Sequence, residues 1–85
     1  MARITIYVRD NCPESARALD IASYLKNFAP NLEIKLVNLS HEDAPEAVKG
    51  SDGPVYEIGG KFFRGNPRPE ELRELLKLFA ATNTN

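Results

Sequence analysis

The first part of the chain alternates between apolar and polar residues and then changes to a helical spacing. Ile4, Ile6 and Val8 recur at every second position in a run rich in β-branched residues, which predicts a first strand. From about Glu14 to Ala29 the apolar residues recur three and four positions apart, which predicts an amphipathic helix. Pro13 suits the first turn of that helix, because the N–H that proline lacks would have no helical partner there.

The alternation returns after this helix. Residues 32–39 predict a second strand. The first strand, the helix and this second strand are expected to form a right-handed βαβ unit with parallel strands. Ser40 is then predicted to N-cap a short helix that runs to about Lys49.

The last third of the chain predicts a hairpin and a helix. Two short apolar and aromatic runs, 55–58 and 61–64, are joined by Gly59-Gly60, the pair that a type I′ turn favours. Leucines at helical spacing after Glu70 predict a final amphipathic helix. The order β-α-β-(short α)-β-β-α predicts an α/β fold with one mixed four-stranded sheet covered by helices.

Length and charge narrow the class of protein. The 85 residues predict a single domain over residues 1–81, followed by a frayed tail at 82–85. The net charge of −1, with both signs spread along the chain, gives no basic block for a nucleic-acid partner. The apolar run at 4–8 is too short for a signal peptide or a membrane span, and one cysteine fits a reducing compartment but would also fit an oxidising one. We therefore expect a cytoplasmic protein without a membrane partner.

The single cysteine, Cys12, lies where the first strand ends and the first helix begins. The N–H groups and the dipole of a helix N-terminus favour the thiolate, which is the form that attacks disulfides. Ser15, one turn along, is placed to donate a hydrogen bond to that thiolate, whereas the Glu14 carboxylate opposes a second negative charge. Because the chain has no other cysteine, Cys12 acts alone or with a partner molecule. An inert, half-buried thiol is the alternative interpretation.

Other candidate residues have simpler interpretations. His41 is expected to be a solvated residue at a helix start, with no metal-ligand spacing around it. Arg64, Arg68 and Arg73 lie near the glutamates of the last helix, so a charge-paired surface is expected. The alternative is an anion site lined by Arg9 and Arg64. The aromatic residues expected to pack in the core are Tyr7, Tyr24, Tyr56, Phe62 and Phe63.

Two segments, together with the element order, resemble a known family. Cys12-Pro13-Glu14-Ser15 is similar to the Cys-Pro-x-Cys motif of glutaredoxins, with serine in the last place. The segment from Gly53 to Gly65 resembles the family's succession of proline, strand, Gly-Lys hairpin, strand and glycine. The chain thus resembles the thioredoxin-like superfamily and, within it, the glutaredoxins, as a monothiol CxxS variant.

The resemblance implies a set of roles for individual residues. Cys12 would be the attacking thiol, supported by Ser15, and Pro54 would be a cis-proline facing it. Arg9 would contact a glutathione carboxylate. The substrate groove would comprise Arg9, Pro13, Gly53 and Pro54. The chain departs from the family in having Glu14 where an aromatic residue is common and in lacking an acidic pair after Gly65.

These observations lead to one main hypothesis and two alternatives. The main hypothesis is thiol–disulfide exchange through a mixed disulfide at Cys12, with glutathione or a protein thiol or disulfide as partner. Glutathione would be a co-substrate, with no tightly bound cofactor and no metal. The first alternative is a non-enzymatic protein-interaction module in which Cys12 is incidental. The second is a cluster or metal carrier in which two chains each donate Cys12.

Overall fold

The computed structural model describes residues 3–50 and 53–82. Its elements are the strands β1 (Arg3–Val8), β2 (Glu33–Asn38), β3 (Val55–Ile58) and β4 (Lys61–Arg64) and the helices α1 (Pro13–Phe28), α2 (Glu46–Lys49) and α3 (Pro69–Thr82). This is the predicted order of elements. Helix α3 includes Thr82, which the sequence assigned to the tail; residues 83–85 of that tail lie outside the described residues. None of the described helices is both long and apolar enough to cross a membrane.

The four strands form one mixed sheet in the order β2-β1-β3-β4. Strands β1 and β2 are parallel, whereas β3 is antiparallel to both of its neighbours. Gly59 and Gly60 have φ values of 57° and 82°, the positive angles that a type I′ hairpin requires. The prediction of an α/β fold with a mixed four-stranded sheet is therefore confirmed.

Helices lie on both faces of this sheet. The larger core cluster joins alternate residues of β1 to one face of α1 and to Tyr56 of β3; its buried members are Ile4, Ile6, Val8, Ala18, Ala22, Leu25, Leu32 and Tyr56. Leu72 and Leu75 bring α3 against the same cluster. A smaller cluster on the opposite face contains Tyr7, Val37 and Val55, with Val48 of α2 packed on them. Because successive side chains of β1 point to opposite sides, this strand contributes core residues on both faces of the sheet.

Two aromatic residues of the predicted core set are buried and three are not. Tyr7 and Tyr56 are buried, whereas Tyr24, Phe62 and Phe63 are exposed, contrary to the prediction. Phe62 and Phe63 belong to β4, an edge strand whose four residues are all exposed. A strand at the edge has a neighbour on one side only, so apolar spacing alone does not bury it.

The short helix α2 begins later than the sequence predicted. Ser40 does not cap it, because α2 starts at Glu46 after Pro45. A proline disfavours the α conformation in the residue before it, so a helix from residue 40 would have been broken at Ala44. Ser40 instead accepts a hydrogen bond from the Asp10 N–H at 3.0 Å.

One edge of the sheet gathers the residues of the predicted site. The ends of β1, β2 and β4 meet there with the start of β3. The β1–β3 register pairs Tyr7 with Val55, and its continuation by one residue brings Pro54 opposite Val8. The Gly65 N–H donates to the Pro54 carbonyl at 2.8 Å, which extends the β3–β4 ladder to the same edge. Cys12 follows β1 by four residues and therefore belongs to this edge.

Candidate functional site

The thiol of Cys12 lies at the N-cap of α1, as the sequence predicted. Cys12 has an extended backbone, with φ of −123° and ψ of 112°, and is partly exposed. Asn11 before it adopts a left-handed φ of 55°, which asparagine tolerates better than most residues. Pro13 follows as an exposed residue at the start of the helix. This sharp turn connects the end of β1 directly to the first turn of α1.

Ser15 connects the thiol to the backbone of the preceding strand. Its side chain is buried, with 2% of its surface exposed, and its Oγ accepts the Arg9 N–H at 2.9 Å. Because Oγ is the acceptor in that bond, the hydroxyl hydrogen remains for the hydrogen bond between Ser15 and the Cys12 side chain. Ser15 thus lies one turn after Cys12, and its side chain is hydrogen-bonded to that of Cys12.

These groups change the acidity of Cys12. The pKa of its thiol is lowered, first by the Ser15 hydroxyl and then by the backbone N–H of Ser15 and that of Glu14. Neither N–H completes a cap hydrogen bond to Sγ, so the amides act by proximity. Partial burial and the Glu14 carboxylate raise the pKa, but the donors dominate. The thiolate is therefore favoured relative to a free cysteine.

Asn66, a residue that the sequence analysis does not single out, holds the first turn of α1. Its Nδ2 donates to the Glu14 carbonyl at 2.9 Å and to Glu14 Oε2 at 3.3 Å. Its Oδ1 accepts the Tyr56 hydroxyl at 2.8 Å. Burial raises the pKa of Tyr56, which keeps that hydroxyl protonated as a donor. Asn66 thus joins β3 to the turn that carries the thiol and fixes the Glu14 carboxylate beside it.

Arg9 lies at the C-terminus of α2. Its Nη2 donates to the Lys49 carbonyl at 3.2 Å, a favourable position for a cation at the negative end of a helix. The residue lines a cleft of about 300 Å³ together with Glu42 and Asp43. A carboxylate entering this cleft would meet charges of both signs.

Pro54 lies at the same sheet edge as Cys12 but not in the predicted conformation. No peptide bond within residues 3–50 or 53–82 is cis, so the expectation of a cis-proline was wrong. A cis bond occurs in only about 5% of X-Pro bonds, and nothing local to Gly53-Pro54 favours it. The trans chain continues the ladder of β3, since the Pro54 carbonyl pairs with Gly65. The Pro54 side chain is fully buried, while Gly53 is partly exposed.

A polar network that the sequence did not predict surrounds Asp10, two residues before the thiol. The Asn38 amide donates to Asp10 Oδ1 at 2.9 Å, and His41 Nε2 lies 2.7 Å from Asp10 Oδ2. The hydrogen bond from Asn38 has the largest effect in lowering the pKa of Asp10, and the one with His41 the next largest. His41 is exposed as predicted, but it lies in a turn and not at a helix start. The network fastens the loop after β2 to the loop that leads to Cys12.

Two further expectations concern metals and arginines. Within residues 3–50 and 53–82 no group of three or more His, Cys, Asp or Glu side chains is arranged to hold a metal ion.

The predicted pairing of arginines with the glutamates of α3 is not found for Arg68 or Arg73, neither of which forms an ion pair with a described residue. An ion pair in α3 joins Lys77 to Glu74 instead.

The chain was compared with known proteins by family and by sequence. No protein-family model matches it. No curated protein sequence matches it either.

Proposed function

We propose that this chain is a thioredoxin-like, glutaredoxin-like protein that carries out monothiol thiol–disulfide exchange at Cys12, linked to glutathione. One observation carries the proposal: the buried Ser15 hydroxyl, fixed by the Arg9 N–H, bonds the Cys12 thiol at the start of α1. This arrangement combines a partly exposed thiol with a lowered pKa, the two properties that reactive cysteines share. The element order and the mixed sheet are compatible with the thioredoxin-like fold.

The chemistry needs two exchange steps. The Cys12 thiolate attacks one sulfur of a disulfide, so that one S–S bond forms as the other breaks and the second sulfur leaves as a thiolate. Glutathione thiolate then attacks the mixed disulfide at the substrate or glutathionyl sulfur and releases Cys12 as a thiolate. Ser15 cannot resolve the intermediate, because its hydroxyl forms no disulfide. The external thiol is therefore required in every cycle.

A second candidate function is a protein-interaction module without catalysis. The observation that favours it is β4, an edge strand with every residue exposed, including Phe62 and Phe63. Exposed strand edges pair readily with an added strand from a partner. In this function Cys12 would be incidental.

Alkylation and adduct formation separate the two functions. The rate of Cys12 alkylation is measured against pH, and the intact mass is measured after incubation with oxidised glutathione, with Cys12→Ser as the control. Exchange predicts a titration midpoint below the value of about 8.5 of a free cysteine and a glutathione adduct that reduced glutathione removes. A thiol that titrates like free cysteine and forms no adduct would rule out exchange and leave the interaction module.

A further inference from the structure

A second cleft opens between residues 14–24 of α1 and residues 66–73, which lead into α3 and form what we call its α3 wall. Its volume is about 770 Å³, larger than that of the cleft at Arg9. Arg17 lies on the α1 wall, and Arg68 and Arg73 lie on the α3 wall. Ile21 and Leu72, both partly buried, add apolar surface to it. We call this the arginine cleft.

Three arginines and two carboxylates line the arginine cleft, which leaves a formal excess of one positive charge. Its three arginines form no ion pair with any described residue. The carboxylates are Glu14 and Asp20 on the α1 wall, and the neutral Asn66 amide that donates to Glu14 Oε2 positions that carboxylate without offsetting its charge. The residues that line the cleft on the α3 wall include no carboxylate. The positive ends of both helix dipoles also border the cleft, which adds to the attraction of an anion.

The position of the cleft connects it to the thiol. Glu14 lines the cleft and follows Cys12 by two residues, within the same helical turn. The Glu14 end of the cleft is therefore the end nearer to the thiol along the chain.

We propose that the arginine cleft binds an acidic segment of the protein whose disulfide Cys12 attacks. Carboxylates of that segment pair with the guanidinium groups, and an apolar side chain packs between Ile21 and Leu72. Guanidinium groups bind carboxylates with two parallel hydrogen bonds, so an acidic chain fits this cleft better than a neutral one. The role in substrate selection rests on the proposed function, whereas binding of the segment does not.

Binding is tested with the thiol removed. The probe is a blocked Glu-Glu-Leu-Glu-Glu peptide, compared with Gln-Gln-Leu-Gln-Gln, on the Cys12→Ser protein at low salt. Arg17→Glu combined with Arg73→Glu should weaken binding of the acidic peptide about tenfold, the loss expected for a few exposed ion pairs. Lys35→Glu with Lys61→Glu makes the same charge change at exposed residues outside the cleft and should have little effect. If the glutamate pair does not fold, Arg17→Gln with Arg73→Gln takes its place.

The outcomes separate the cleft from the chemistry. Absence of acidic-peptide binding, equal binding of the glutamine peptide, or equal loss in the lysine variant would overturn the arginine cleft. Exchange with hydroxyethyl disulfide, a small neutral substrate, is measured in parallel on the unmodified chain. Binding without exchange supports the cleft and refutes the proposed function, whereas exchange without binding refutes the cleft alone.

Discussion

Replacing Ser15 with alanine removes the largest cause of the lowered pKa of Cys12. The hydroxyl that bonds the thiol is lost, while the helix N-terminus and the Glu14 carboxylate remain. The pKa of Cys12 should therefore rise. At a fixed pH below the pKa, the thiolate fraction falls about tenfold for each unit by which the pKa rises.

The same replacement affects stability, which must be measured separately. Ser15 is 2% exposed and accepts the Arg9 N–H, so alanine leaves a partly buried donor without its partner, which places the cost towards the lower end of that for a buried donor. An unsatisfied buried donor costs about 1–3 kcal/mol in the free energy of unfolding. Ser40→Ala is the matched control, because Ser40 accepts the neighbouring Asp10 N–H at an exposed position that water can occupy. We expect that control to cost no more than about 0.5 kcal/mol.

The assay is the midpoint of the pH–rate profile for alkylation of Cys12. The midpoint is preferred to a single rate, since a more basic thiolate is also a better nucleophile and partly offsets its lower abundance. Ser15→Ala should move the midpoint upward, and Ser40→Ala should leave it in place. An unchanged midpoint in a folded Ser15→Ala protein, or an equal change in both variants, would refute the hydrogen bond from Ser15 to the thiol.

Two further predictions concern backbone and pH. Gly53→Ala should stabilise the protein by about 0.4–1 kcal/mol in denaturant unfolding, because its Cβ meets no atom within 4 Å and its φ is not positive. Gly65→Ala, equally open but at φ of 82°, should cost about 1 kcal/mol; a loss at Gly53 as large as at Gly65 would contradict this reasoning. Because the pKa of Asp10 is lower in the folded protein, its ionised carboxylate stabilises the fold at pH values above the ordinary pKa of 3.8. This stabilisation is lost as the pH falls through the lower pKa of the folded state. Asp10→Asn should therefore flatten the acid limb of the stability curve, and an unchanged slope would contradict a role for the contacts to Asn38 and His41.

Much of the fold follows from local sequence signals. The alternation in β1, the helical spacing of α1 and the Gly59-Gly60 turn each act within a few residues, and each element forms where it was predicted. The position of Cys12 follows from the same local signals, since it lies between two of these elements. Local reasoning was wrong about α2, where the effect of Pro45 on the preceding residue outweighed the capping signal at Ser40.

Beyond Ser15 and the first amides of α1, the surroundings of the thiol depend on residues far apart in the chain. His41 reaches Asp10 across 31 positions, and Asn66 reaches Glu14 across 52. No periodicity or spacing predicts such pairs, because they exist only once the β-strand ends meet at one edge. The sequence therefore determined which thiol is available and at which helix end it lies. Only the tertiary structure decided the contacts of Asp10 and Asn66, the trans conformation of Pro54 and the arginine cleft, because hydrogen bonds and charge pairs between distant residues depend on distances that folding sets.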